Sequence, residues 1–153
     1  MSDGLIVFGA FDGKVYALDA VHGIKVWEFP TGNWVWADPT IVGGVVYIGS
    51  LDGNLYALDL KSGQKKWQYN TGGAVRSAAA FADGQVFVGS ESFKTFALAA
   101  QSGALNWEVN GTDKVLAVSV FNGSLVVQYH DRKVVALNAK TGSKKWEFET
   151  DKN

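Results

Sequence analysis

The chain has 153 residues, a length that suits one ordinary domain, and 47% of them are hydrophobic, which excludes general disorder. Fourteen basic and 15 acidic residues leave a net charge of −1, so there is no cationic surplus to bind nucleic acid or an anionic membrane. Cysteine is absent, which excludes disulfides, thiolate zinc sites and cysteine nucleophiles. No apolar run approaches the roughly 20 residues of a membrane span, and the start has no pattern of a secretory signal. We therefore expect a folded domain with no membrane span and no nucleic-acid partner.

A repeat of about 40 residues runs through the whole chain. Each copy contains Ala-Leu, a glycine five residues after that leucine, and a tryptophan four residues after the glycine. The tryptophans are Trp27, Trp67, Trp107 and Trp146, with spacings of 40, 40 and 39 residues. Such self-similarity at a fixed period is typical of repeat architectures in which neighbouring units bury a shared core.

Within each copy the pattern predicts four short strands. The runs are rich in β-branched and aromatic residues and are separated by Gly-containing turns such as Asp52-Gly53, a hairpin signal. For the second copy the predicted strands, named A to D from the axis outward, are Trp34–Val42, Val45–Gly49, Asn54–Asp59 and Gln64–Tyr69. In the third copy we expect the small residues of 77–80 to lie on inner strand A.

The first copy begins at strand B, Leu5–Gly9, and has no strand A. We expect an all-β single domain of β-propeller blades, each with four antiparallel strands except the first, which lacks its inner strand. The repeats cover approximately residues 5–29, 34–69, 74–109 and 114–149. The tryptophan of strand D is predicted to fill the wide outer gap between blades.

The second copy reads V-Y-I-G-S-x-D-G-x-L-Y-A-L-D-x-x-x-G-x-x-x-W and resembles the repeat of quinoprotein-type (PQQ-like) β-propellers. This group includes quinone-dependent alcohol dehydrogenases and the periplasmic lipoprotein of the outer-membrane β-barrel assembly machinery. Its members usually have about eight blades, so the resemblance implies that this chain forms half of an eight-bladed ring. It also implies a periplasmic or extracytoplasmic location, although a cytoplasmic one stays open.

The same resemblance raises the question of a quinone cofactor. Dehydrogenases of the group hold the quinone with calcium, a catalytic Asp and a neighbouring Cys pair, and those residues have no counterpart here. His22 and His130 lie in turns expected on opposite faces, so they do not predict a metal site. We therefore expect no cofactor, no metal and no enzymatic activity.

Two tryptophans lie outside the repeat. Trp34 and Trp36 have Ala74 and Arg76 as equivalents in the third copy. They open strand A on the face where the B–C turns emerge, and aromatic residues and Arg are favoured interface anchors. Two interpretations stay open: one or both rings pack into the core, or the pair belongs to an interaction surface. Arg76, His130 and Arg132 are the other candidates on this face.

The outer edge of the third copy is a further candidate. Lysines occupy strand D of the other three copies and discourage edge-to-edge pairing, whereas the third copy has Ala104-Leu105-Asn106. Either this is drift, or Leu105 marks an edge on which an extended partner segment docks.

The predicted function is a non-catalytic propeller scaffold for protein–protein interaction, in the manner of the assembly lipoprotein. The alternatives are a fragment of a quinone-dependent dehydrogenase, and a small-ligand or glycan sensor that would need Trp34 or Trp36 exposed. Because the first blade lacks its inner strand, we also expect self-association through propeller closure, with two copies completing one ring.

Overall fold

The computed structural model describes residues 3–151, which form fifteen β-strands and no helix. The first sheet contains β1 (Leu5–Gly9), β2 (Lys14–Asp19) and β3 (Lys25–Pro30). The second contains β4 (Thr40–Val42), β5 (Val45–Gly49), β6 (Asn54–Asp59) and β7 (Lys65–Asn70). The third contains β8 (Ala80–Ala82), β9 (Gln85–Gly89), β10 (Lys94–Ala99) and β11 (Leu105–Asn110). The fourth contains β12 (Val115–Phe121), β13 (Ser124–Tyr129), β14 (Lys133–Asn138) and β15 (Lys144–Glu149).

Each sheet is an antiparallel meander in which strands pair in chain order, as expected for propeller blades. The all-β propeller fold is confirmed, with three strands in the first sheet and four in each of the others. The Ala-Leu pair of the repeat marks a β-bulge between the last two strands of every blade. A bulge bends its strand and increases the local twist, which explains one structural role of this part of the repeat. No helix within residues 3–151 has the length and apolar character needed to cross a membrane.

The prediction for inner strand A was wrong in its bounds. In the second blade the strand begins at Thr40 and not at Trp34, and in the third blade it begins at Ala80, so residues 77–79 precede it. The backbone of residues 34–35 forms hydrogen bonds with two blades instead: Val35 N–H donates to Ala10 O, and Leu51 N–H donates to Trp34 O. These hydrogen bonds replace the continuous ladder with β5 that a strand beginning at Trp34 would form.

The hydrophobic core lies between successive blades. One tryptophan from each of the first three blades packs on the next blade: Trp27 faces Gly63, Trp67 faces Gly103 and Trp107 faces Gly142. A Cβ on any of these glycines would come within 2.6–2.8 Å of the facing ring, so only glycine allows the contact. The indole N–H groups donate to the carbonyl oxygens of Leu60, Ala100 and Ala139, at 2.8, 2.9 and 3.0 Å. The predicted role of these three tryptophans at the blade interfaces is therefore confirmed.

Candidate functional site

One surface of the molecule, here called the turn face, consists of the β1–β2, β5–β6, β9–β10 and β13–β14 turns together with the segments that enter the next blade. A repeated pair of backbone hydrogen bonds builds it. Val75 N–H donates to Ser50 O at 3.1 Å, and Glu91 N–H donates to Ala74 O at 2.9 Å, as Val35 and Leu51 do one blade earlier. Since Val35 and Val75 are fully buried, the residues on either side of them point outward.

Three aromatic rings gather on the turn face at the junction of the first two blades. Phe11, Trp34 and Trp36 form this aromatic cluster, and they are 62%, 51% and 54% exposed. The Phe11 ring lies between the two indoles, with centroid distances of 5.6 Å to Trp34 and 5.3 Å to Trp36. The interpretation that one or both tryptophans pack into the core is therefore wrong, because the neighbouring Val35 takes the buried position. Clustered exposed rings of this kind are typical of interaction surfaces.

Arg76 extends the aromatic cluster toward the third blade. Its guanidinium carbon lies 5.7 Å from the centroid of the Trp36 ring, a cation–π contact. Its Nε donates to Glu91 Oε1 at 2.7 Å, and Lys114 Nζ lies 3.6 Å from the same oxygen. The hydrogen bond from Arg76 lowers the pKa of Glu91 against the effect of partial burial, and the two cations add to the lowering. Glu91 therefore stays ionised and holds Arg76 beside Trp36.

The remaining candidates are spread over the chain. His130 lies on the turn face of the fourth blade, where its backbone N–H donates to the backbone O of Lys114 at 3.0 Å and its side-chain Nδ1 is 3.5 Å from Asp113 Oδ2. Arg132 lies at the same turn but points toward Glu149, at 3.7 Å. Leu105 is 44% exposed on β11, the outermost strand of the third blade. The structure thus joins Trp34, Trp36 and Arg76, links His130 to them through Lys114 and Glu91, and leaves Leu105 apart.

Two turn residues on the same face have unusual backbone conformations. Phe93 and Arg132 have φ values of 68° and 73°, at positions where the first two blades have Gly13 and Gly53. Bulky residues rarely adopt positive φ, and such strain costs on the order of 1–3 kcal/mol. The turns of the third and fourth blades therefore present a half-exposed phenylalanine and an arginine where glycine would be less strained.

Phe11 and Phe93 were not predicted from the sequence as residues of this surface. Both lie in turns, and both are exposed. The equivalents of Phe11 in the other copies are Leu51, Glu91 and His130. A phenylalanine that the other three copies lack was therefore the sequence signal that could have identified it. Its proximity to Trp36, 25 residues later, could not be read from local pattern.

The acidic turn residues have structural roles. Asp52 Oδ2 accepts hydrogen bonds from Tyr56 Oη at 2.6 Å and from Gly32 N–H at 2.8 Å, and Oδ1 accepts from Asn54 N–H. Burial alone would raise the pKa of the Asp52 carboxyl, but these hydrogen bonds outweigh it and lower the pKa. Burial and the hydrogen bond to Asp52 raise the pKa of Tyr56.

Residues 3–151 contain no group of three or more His, Asp or Glu side chains that could hold a metal ion.

A cavity of about 170 Å³ lies between the third and fourth blades, lined by Val109, Tyr129, Val135 and Leu137 among others. The two earlier interfaces have an aromatic pair at the position of Val109 and Val135. Phe29 packs on Tyr56 at 5.3 Å, and the second pair, Tyr69 with Phe96, lies at 5.5 Å. The cavity therefore exists because two valines replace two rings.

Comparison with protein families gives one match over most of the chain. The family model described as "Outer membrane protein assembly factor BamB" matches residues 1–110 and again residues 70–153. A comparison with curated proteins gives no match.

Comparison with solved structures gives propellers. BamB from Moraxella catarrhalis is 22% identical with a TM-score of 0.82, and the match covers 97% of this chain and 46% of that chain. The computationally designed Ika8 protein is 19% identical with a TM-score of 0.87, covering 97% and 47%. Quinohemoprotein alcohol dehydrogenase ADHIIG from Pseudomonas putida HK5 is 21% identical with a TM-score of 0.84, covering 98% and 33%. The chain therefore spans about half the length of the first two structures and a third of the last, and at these identities the likeness concerns the fold.

Proposed function

This chain belongs to the family described as outer membrane protein assembly factor BamB, and we propose that it is a non-catalytic propeller scaffold that binds a protein partner in envelope protein assembly. The observation that carries the proposal is the turn face, where the aromatic cluster of Phe11, Trp34 and Trp36 is exposed and continues into Arg76. Aromatic residues and Arg are enriched among interface hot spots. Aromatic rings bury large areas with few rotatable bonds, and the planar guanidinium of Arg offers several N–H donors. A periplasmic location is part of the proposal.

The arrangement suits partner binding in a second respect. The rings are held by a frame of blades through repeated backbone hydrogen bonds, so little conformational freedom is lost when a partner covers them. Arg76 is already positioned by Glu91 and can offer its remaining N–H groups to carbonyl or carboxylate oxygens of the partner. We therefore expect a partner segment with an apolar anchor next to an acidic or carbonyl-rich stretch.

Site-specific cross-linking in the periplasm of a Gram-negative host tests this proposal. A photo-reactive residue at Trp36 should cross-link to a component of the outer-membrane assembly machinery. The control position is Val21, which is 82% exposed in the turn between β2 and β3, and it should not cross-link to the same component. A third position, Leu105, tests the edge-docking hypothesis for β11. Equal cross-linking at Trp36 and Val21 would contradict a specific turn face.

The partner that cross-linking identifies is then purified by itself, and the affinity of each variant for it measures how much each side chain contributes to binding. Trp36→Ala or Arg76→Ala should weaken binding by about 30-fold, the effect of losing one interface hot spot. Val21→Ala should leave binding unchanged. Near-identical affinities of all three variants would show that the aromatic cluster does not carry the interaction.

The dehydrogenase alternative has a direct test of its own. Its support is the fold shared with ADHIIG. Titration of the chain with pyrroloquinoline quinone and Ca²⁺ should leave the quinone absorption spectrum unchanged if the protein is a scaffold. A saturable spectral change would favour the dehydrogenase fragment.

The glycan or small-ligand sensor is a second candidate, favoured by the exposure of both Trp34 and Trp36. Sugars stack on exposed indoles, so oligosaccharide binding would change their fluorescence. A saturable change that is lost in Trp36→Ala would support this candidate.

We also propose that the chain self-associates. Within residues 3–151, the first and fourth blades each have a face that no other blade covers, and both faces bear exposed apolar side chains. Light scattering over a dilution series of the 153-residue chain measures this directly.

A further inference from the structure

The two uncovered faces carry the separate halves of one blade interface. At the three interfaces inside the chain, a tryptophan packs on a glycine of the next blade and its N–H donates to a backbone carbonyl there. The uncovered face of the fourth blade carries the tryptophan half of such a contact: Trp146 is 50% exposed, against 7% for Trp27. The uncovered face of the first blade carries the glycine half, since a Cβ at Gly23 would meet nothing within 4 Å.

The surrounding side chains match in the same way. Phe148 of the fourth blade is the equivalent of Phe29 and Tyr69, and Tyr16 of the first blade is the equivalent of Tyr56. Phe29 and Tyr56 form an aromatic pair inside the chain, whereas Phe148 is 60% exposed. The pair of rings that the interface between the third and fourth blades lacks is thus available again from the two uncovered faces.

The first blade repeats this pattern along its first strand. Ile6 and Phe8 are 39% and 37% exposed, but their equivalents in the second blade, Val46 and Ile48, are buried against the first blade. Apolar side chains that face solvent at interface positions are costly unless they are covered. The fourth blade of the same chain does not cover Ile6 and Phe8, because its own Trp146 and Phe148 are also exposed.

From these observations we infer that a second copy of this chain covers both faces, with Trp146 of each copy seated on Gly23 of the other and donating its N–H to the Ala20 carbonyl, the equivalent of Leu60. The two contacts are related by a two-fold axis along the propeller axis, so the assembly closes and leaves neither face free. The curvature supports closure, because four blades superpose on just under half of two propeller chains. This inference rests on the proposed self-association and is independent of the aromatic cluster.

Light scattering and sedimentation of the 153-residue chain test the inference with two variants, one for each face. The wild-type chain should have about twice the 16.5 kDa mass of one copy. Trp146→Ala removes the indole, and Gly23→Asn places a side chain where the indole of the other copy would pack. Asn tolerates the positive φ of this glycine, so the fold of one copy should be retained. Each variant should weaken dimer formation at least about 30-fold.

The matched control is Gly84→Asn. Gly84 has a φ of +72°, open space around its Cβ position and a place in a hairpin of the third blade, away from both uncovered faces. This variant should form dimers as the wild type does. Circular dichroism of all three variants checks that loss of the dimer is not loss of the fold.

Mixing the two interface variants gives the sharpest result. A mixed dimer has one intact contact, formed by Trp146 of the Gly23→Asn chain and Gly23 of the Trp146→Ala chain, whereas a dimer of either variant alone has none. Mixing should therefore restore part of the association. A wild-type monomer would overturn both the self-association and this inference. A wild-type dimer insensitive to Gly23→Asn, no recovery on mixing, or open polymers of growing mass would overturn the ring while leaving self-association in place.

Discussion

Replacement of Trp67 by alanine tests whether the repeat tryptophans hold the blades together. Trp67 is 9% exposed, packs on Gly103 of the next blade, lies 5.8 Å from the Tyr47 ring and donates to Ala100 O at 2.9 Å. A buried aromatic side chain of this size removes roughly 150–250 Å² from water, worth about 4–6 kcal/mol as an upper bound at about 25 cal/mol per Å². Measured Trp→Ala changes in cores cost about 3–5 kcal/mol, and we expect a loss of that size.

The assay is urea denaturation followed by circular dichroism, with the free energy of unfolding compared between variants at one protein concentration. Trp34→Ala is the control, because that indole is half exposed and packs on no neighbouring core; it should cost at most about 1 kcal/mol. Trp67→Phe keeps a ring but leaves the Ala100 carbonyl without its donor, which should cost about 1–3 kcal/mol. Equal effects of Trp67→Ala and Trp34→Ala would refute the reasoning, as would an unchanged stability of Trp67→Ala.

Three further predictions concern stability. Gly63→Ala should cost at least about 1 kcal/mol more than Gly84→Ala by thermal unfolding, because both glycines have positive φ but only the Cβ at Gly63 would collide with an indole. Val109→Phe should fill the cavity of about 170 Å³ and raise stability by about 1 kcal/mol, while Tyr69→Val opens the equivalent space one interface earlier and should cost about 2–4 kcal/mol; a loss in Val109→Phe would show that the cavity cannot accept a ring. The lowered pKa of Asp52 means that its ionised form contributes stability above its unfolded-state pKa of about 3.9, and this contribution is lost as the pH falls through the lower folded-state pKa. Asp52→Asn should therefore be less stable than the wild type at pH 7 and should approach it on acidification; a difference that stays constant down to low pH would contradict this assignment.

The sequence by itself determined the blade architecture. The bounds of the second and third strands of the second blade were predicted correctly, because alternating β-branched and aromatic runs between turn residues are a local pattern. The role of Trp67 was also predictable. Its 40-residue period shows that the same contact must recur between successive blades, and a large ring suits the widest part of that gap.

The tertiary structure alone decided what happens where the chain passes from one blade to the next. Sequence pattern predicted a strand from Trp34, but the backbone there bonds to turns of two different blades. This arrangement buries Val35 and exposes Trp34 and Trp36, which no alternation rule could assign.

The composition of the aromatic cluster, the cavity beside Val109 and the open seat at Gly23 were likewise decided in three dimensions. Each is a relation between residues on different blades, many positions apart in the chain. Periodicity reports which residues of one blade share a face, but the packing of that face depends on the side chains that the neighbouring blade supplies. For this reason the repeat predicted the frame, and only the stacked blades showed which side chains stay exposed.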